Sequence, residues 1–312
     1  MPEVITSPSN PKVKRLLALQ QKSSARREAG LFVVEGRREL QHCIDAGFTV
    51  DTVFVCSSLH GSSFEAPSGS APLKNFALRA LPSQPGGWAP PVHEATGGHG
   101  FSGVAAGAAS SPEVAGFPES VRVFEVSEEV YGKMAMREGT EGVVAEVRTP
   151  ERRLADLVLP EHPLVVVLER VEKPGNLGAV LRSADAAGAD AVLFCDPLTD
   201  LWNPNLIRAS IGAVFTVPCV ACSSAEAIAF LKARGIRILT AQLQDSSLYY
   251  DCDMTAGTAL VMGTEATGLT DAWRQAADAH IRIPMLGRLD SLNVSVSAAI
   301  LLFEAVRQRQ NG

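Results

Sequence analysis

The chain has no run of eighteen or more apolar residues, which leaves it without a transmembrane helix. Its first residues, Met1-Pro2-Glu3-Val4-Ile5-Thr6, lack the charged-then-apolar layout of a signal peptide and the arginines of a transit peptide, so the expected compartment is cytoplasmic. Cysteine patterning is equally poor. Six cysteines (43, 56, 195, 219, 222, 252) lie scattered among apolar neighbours. Cys219-Val220-Ala221-Cys222 has neither a second pair nor nearby histidines, and the expectation is buried free thiols, not zinc or redox chemistry. The six histidines show no ligand spacing, so no metal is expected. There is no Gly-Lys-Ser/Thr phosphate loop, no Gly-x-Gly-x-x-Gly after the first strand and no Gly-x-Ser-x-Gly elbow. No internal repeat is present.

Basic charge is also scarce overall. The net charge of -6 argues against broad affinity for nucleic acid. The distribution is uneven, however: residues 1–40 carry eight Lys/Arg against four acids. Lys12, Lys14, Arg15, Arg26 and Arg27 form either a basic patch that steers a polyanion and meets its phosphates, or a solvated helix face.

With 312 residues, 46% hydrophobic and 20% charged, the chain has the length for two globular domains. Periodicity predicts a helix over 10–21, a strand over 31–34, a helix over 37–46 and a strand over 50–55. Residues 57–120 then hold 40 Gly, Pro, Ser or Ala in 64 positions, too little side-chain surface to offset ordering. The strand at 121–126, the helix at 127–136 and the strand at 142–147 complete the interrupted unit. The first domain is therefore 1–148 with a low-complexity insertion at 57–120, and 149–162 is a connector.

The second domain, 163–312, opens on Pro163-Leu164-Val165-Val166-Val167-Leu168, an apolar run suited to a strand buried on both faces. Strands at 191–195, 236–239, 258–262 and 281–283 then alternate with helices at 177–187, 224–234, 271–277 and 294–309. That alternation predicts an α/β fold, a parallel sheet with helices on both faces.

Three polar segments each follow a buried strand, where open α/β sheets place ligands. They are Glu172-Lys173-Pro174-Gly175-Asn176-Leu177-Gly178 with Arg182, then Gly263-Thr264-Glu265-Ala266-Thr267-Gly268-Leu269, then Gly287 to Asn293. Asn176 is expected to cap the helix that follows it, and Ser291 and Asn293 the last helix.

Taken in order, these segments resemble the SpoU (TrmH-type) branch of the SPOUT RNA methyltransferases. Asn176-Leu177-Gly178 with Arg182 and Gly188 resembles the first family motif, and Gly263-x-Glu265-x-x-Gly268-Leu269 the second. Ile283-Pro284-Met285 followed by Ser291-Leu292-Asn293 resembles the third. Asn10-Pro11-x-Val13-Lys14 and Phe32-Val33-Val34-Glu35-Gly36-Arg37 are similar to the L30e-like substrate-binding domain of many members. Two positions depart from the pattern: Thr264 stands where Asn is usual, and Ala187 where an aromatic is common.

The resemblance implies a C-terminal trefoil knot, a homodimer, S-adenosylmethionine as methyl donor and 2′-O-methylation of a ribose in structured RNA, ribosomal RNA foremost. It implies that Asn176, Arg182, Glu265, Ser291 and Asn293 form the catalytic cluster. Gly263, Ile283, Met285 and Leu292 would line the donor pocket, with Thr240 added from the end of its strand. A tRNA substrate, and a non-catalytic RNA-binding or ribosome-assembly role on the same scaffold, are the alternatives.

Overall fold

A computed structural model describes residues 3–59, 117, 120–136, 141–264 and 267–311. The insertion read at 57–120 lies almost wholly outside the described residues, and Glu265 lies outside them as well. The described N-terminal part runs β1 (Glu3–Ile5), α1 (Pro11–Gln21), α2 (Ser23–Ala29), β2 (Leu31–Glu35), α3 (Arg37–Asp45), β3 (Val50–Val55), β4 (Arg122–Val126), α4 (Glu128–Met134) and β5 (Val143–Arg148). Its strands form one five-stranded mixed sheet in the order β1-β4-β3-β5-β2. Strands β3 and β4, on either side of the insertion, pair in parallel from Thr52↔Arg122 to Val55↔Glu125. The insertion thus interrupts a single sheet. Asn10 caps α1, its Oδ1 accepting from the Lys12 amide at 2.9 Å. Neither β1 nor α2 stands out in the sequence: three residues are too few for a strand pattern, and α2 buries only Arg26.

The C-terminal part runs β6 (Leu164–Glu169), α5 (Pro174–Ala186), β7 (Ala191–Cys195), α6 (Pro204–Ala209), α7 (Ala213–Thr216), β8 (Cys219–Cys222), α8 (Ser224–Ala233), β9 (Arg237–Ala241), β10 (Ser247–Leu248), β11 (Thr258–Met262), α9 (Asp271–Ala276), β12 (Ala279–Arg282) and α10 (Val294–Asn311). Its seven strands are all parallel, in the order β10-β12-β9-β11-β6-β7-β8. Strand β6 is buried on both faces. Leu164, Val166 and Leu168 join the core under α5 and α10, while Val165 and Val167 join the core under α8 and α9. Short α6 and α7 and strands β8 and β10 were not expected. Strands β9 and β12 are shifted, β9 ending at Ala241 and β12 starting at Ala279.

Helix α5 seats on α6 through Gly178. A Cβ there would come within 2.5 Å of Ala209 Cβ and 2.6 Å of its carbonyl carbon, so only glycine allows the approach. This contact sets the height of α5, and with it Asn176 and Arg182, above the sheet.

The two sheets meet through aromatic packing. Phe32 stacks on Trp202 with centroids 4.7 Å apart, and Phe48 meets Phe215 edge-on at 5.2 Å. The guanidinium of Arg152 lies over both Phe48 and Trp202. The same junction corrects the reading of the basic patch. Arg26 is only 4% exposed, and its guanidinium donates to the Leu19 carbonyl at 2.6 Å and to Asp200 at 2.7 Å. Arg15 is paired with the buried Glu146 and Lys12 with Glu3. Only Lys14 and Arg27 of the five stand exposed without an ion pair among the described residues. Arginine at 26 is a strut between the two halves. Replacing it leaves Asp200 Oδ2 and the Leu19 and Gln20 carbonyls without the guanidinium, so Arg26→Ala should cost about 3 kcal/mol in urea unfolding, against less than about 0.5 kcal/mol for Arg27→Ala.

Candidate functional site

Because all seven strands run the same way, the loops after β6, β9, β11 and β12 leave the sheet at one edge. Three of them enclose a cleft of about 400 Å³. Residues 241–244 form one wall, Gly263, Thr264 and Thr267–Leu269 the second, and Ile283, Met285 and Asp290–Leu292 the third. The floor is apolar, built from Met262, Ile281, Val294 and Leu301. The second wall is a closed ring. Thr264 and Gly268 form an antiparallel bridge, and the Thr264 hydroxyl accepts from the Thr267 amide at 3.0 Å. An added Cβ on Gly263 would lie 2.4 Å from Gly268, so the ring closes only on glycine. Threonine at 264 therefore works here as the staple of the ring.

Gly263, Ile283, Met285 and Leu292 line this cleft, and Ser291 does too. Thr240 is not among the lining residues. It is fully buried inside β9, with its hydroxyl 2.6 Å from His280 Nδ1. Because β9 runs on to Ala241, the wall expected at Thr240 is made by Ala241–Gln244 instead. Gln242, Leu243, Gln244, Arg274 and Asp290 were missed as lining residues. The strand boundary was the one signal that pointed to 241–244.

Asn176 and Asn293 meet. Asn293 Nδ2 donates to Asn176 Oδ1 at 3.1 Å across 117 positions of sequence. Of the three expected caps, Asn293 alone is found. Helix α5 begins at Pro174, placing Asn176 inside its first turn with its side chain turned to Asn293. Helix α10 begins at Val294, and Asn293 is its cap: Oδ1 accepts from the Ser295 amide at 2.9 Å and the Ser295 hydroxyl at 2.6 Å. That use of Oδ1 turns Nδ2 toward Asn176. Ser291 sits two residues too early to cap, and is exposed beside Asp290. Arg182, two turns into α5, is exposed, with no hydrogen bond or ion pair among the described residues.

The cysteines lie away from this cleft. Burial pushes the Cys219 thiol up to about 12, and a hydrogen bond with Cys222 followed by burial raises that of Cys195. Thiols so protonated are poor nucleophiles and poor metal ligands. Among the described residues no group of three or more His, Cys, Asp or Glu could hold a metal ion, and no helix is long and apolar enough to cross a membrane.

Residues 163–303 match the SpoU rRNA Methylase family, and residues 10–74 match the MRM3-like substrate binding domain. The 23S rRNA (guanosine-2'-O-)-methyltransferase RlmB of Pseudomonas putida is 38% identical over 178 residues, covering 54% of this chain and 71% of that protein. The 23S rRNA (uridine(2479)-2'-O)-methyltransferase of Streptomyces viridochromogenes is 36% identical over 176 residues, 54% of this chain. The chain spans 61% of that relative's length. A crystal structure of an RNA 2'-O ribose methyltransferase superposes with a TM-score of 0.70 at 34% identity, covering 98% of this chain and 99% of the other. An AdoMet-bound rRNA methyltransferase from Sinorhizobium meliloti gives 0.73 at 26% identity, covering 98% and 97%.

The capping geometry is open to a direct check. Asn293→Ala removes the cap of α10 together with the Asn176 contact and should destabilise the fold by about 1 kcal/mol. Ser291→Ala should stay within about 0.5 kcal/mol of the parent, both read by thermal denaturation.

Proposed function

The chain belongs to the SpoU rRNA methylase family, and from that premise we propose that it transfers a methyl group from S-adenosylmethionine to a ribose 2′-hydroxyl of structured RNA, ribosomal RNA foremost. The observation that carries this reading is the convergence of three sequence-distant loops on one cleft, with Asn176 bonded to Asn293 at its edge.

The cleft suits such a donor. Its volume falls within the usual range for small-molecule sites, and its apolar floor and backbone-rich walls offer faces and edges to a planar base. Gln242 Oε1 is a buried acceptor with no partner among the described residues, and Asp290 places a carboxylate on the wall, complementary to a cationic ligand. Gly263, Ile283, Met285 and Leu292 would hold the donor, with 241–244 in the place first given to Thr240.

When bound, S-adenosylmethionine supplies an electrophilic methyl group. The protein's own task is to align the acceptor hydroxyl and ease its loss of a proton. An arginine guanidinium stays charged, so Arg182 acts by charge: it holds a neighbouring phosphate or the oxygen as negative charge develops there. Asn293, fixed by Ser295, orients Asn176 at the entrance to α5. Ser291 offers a hydroxyl at the rim to the ribose. The motif match gives Glu265 the role of orienting Arg182 or Asn176.

Several finer parts belong to the same proposal. The C-terminal segment is taken to be threaded as a trefoil knot. This is supported by β11 lying between β9 and β6, and by α10 packing on α5. The residues up to 148 serve as an L30e-like RNA-binding domain, 149–162 as connector and 163–312 as the catalytic domain. Lys14 and Arg27 are the patch residues left for phosphate. The working unit is a homodimer in the cytoplasm. In support of the dimer, Val296 and Phe303, seven residues apart on α10, are 47% and 49% exposed.

Methyl transfer from tritiated S-adenosylmethionine to ribosomal and transfer RNA transcripts tests the proposal. Arg182→Ala should lose on the order of a hundredfold or more in rate while donor affinity holds. Undiminished ribose methylation by that variant would reject the centre. Absence of donor binding by the parent would favour a non-catalytic role, and methylation confined to tRNA would move the substrate.

A further inference from the structure

Glu169, the last residue of β6, is 1% exposed, yet it carries a carboxylate into the apolar layer beneath α8 and α9. Burying such a group is costly unless its oxygens are well satisfied. Here they are. Oε2 accepts the Thr270 amide at 2.8 Å, and Oε1 accepts the Thr270 hydroxyl at 2.6 Å. Ser224 Oγ lies 3.2 Å from Oε1, donates at 2.6 Å to Asp196 and accepts from Trp273 Nε1 at 3.0 Å. None of these groups lines the cleft.

Thr270 stands at the N-cap of α9, where a threonine hydroxyl ordinarily closes onto its own helix. It makes no such bond, because its hydroxyl is turned to Glu169. Thr270 directly follows Leu269, the last residue of the ring that walls the cleft. The ring's other end, Gly263, follows the last residue of β11, which lies beside β6 in the sheet. The Thr264–Gly268 bridge ties the described limbs of this wall to each other. The wall's tilt is set where its ends are fixed, and Glu169 fixes one of them. Glu169 is also only three residues upstream of the Glu172–Gly178 segment that leads to Asn176.

We propose that Glu169 is a positioning residue, clamping Thr270 so that Thr267–Leu269, the limb of the wall that runs into it, stand where the donor cleft requires them; the inference rests on the proposed function. It acts through hydrogen bonds, not net charge. A glutamine oxygen can still take the Thr270 amide, while its NH₂ can donate to the two hydroxyls once they rotate.

Calorimetry with S-adenosylmethionine on the full chain, paired with amide hydrogen exchange over 263–270, tests this. Glu169→Ala should weaken donor binding about tenfold or more and speed exchange in the ring. Thr270→Val, which keeps the amide donor, should fall between Glu169→Ala and the parent. Glu169→Gln should restore binding to within about threefold of the parent. Parent-like affinity and exchange in a folded Glu169→Ala protein would overturn the proposal, as would a Glu169→Gln protein no better than alanine. Should Glu169→Ala fail to fold, Thr270→Val and Glu169→Gln decide, with unchanged exchange in Thr270→Val counting against the clamp. If the parent binds no donor, the functional reading fails, and exchange in the ring still decides whether Glu169 holds it.

Discussion

The constraint beneath everything else is that the seven strands of the larger sheet all run one way. Parallel strands need crossovers, and crossovers return every strand to the same starting edge. The loops leaving the strands therefore gather at the opposite edge. In this chain the loops after β6, β9, β11 and β12 gather there, and three of them enclose a cleft. The site is a consequence of topology before it is a consequence of any side chain. The apolar run of β6 anchors the arrangement, since it supplies core to both faces at once.

Much of this was legible in the sequence because long buried strands announce themselves. Leu164 to Leu168, Ala191 to Cys195 and Thr258 to Met262 are apolar almost without interruption and bounded by polar or glycine-containing stretches. Their loops could therefore be placed at strand ends, and Gly263, Ile283, Met285 and Leu292 do line one cleft. The features that were not legible depend on neighbours distant in sequence. That Asn293 and not Ser291 caps α10 was one such choice: the sequence offered both, because both residue types suit a cap equally, and the helix start is decided by how α10 meets α5. Thr240 does not line the cleft because β9 continues two residues past the apolar signal, held by pairing with β12 that no local pattern encodes. Short α6, α7 and β8 lack the length for a periodic signature.

The basic N-terminal patch teaches a related lesson about charge. A run of Lys and Arg is identical in sequence whether it faces solvent or a carboxylate across the molecule. Arg26 and Arg15 find their carboxylates at Asp200 and Glu146, 174 and 131 positions away. Arg26 joins the aromatic contact of Phe32 and Trp202 in holding the two sheets together. The residues left to meet a polyanion are fewer than composition suggests, and their spacing is set by a rigid junction. Phosphate contacts made by the N-terminal half would therefore be held in register with Asn176 and Arg182.

The central claim is that one donor cleft is assembled from loops far apart in sequence. A co-crystal structure with S-adenosylhomocysteine tests it most directly. The account predicts ligand density between residues 241–244, the Gly263–Leu269 ring and the segment from Ile283 to Leu292, touching all three. Density seated on another surface, or a cleft that stays empty at saturating ligand, would contradict it.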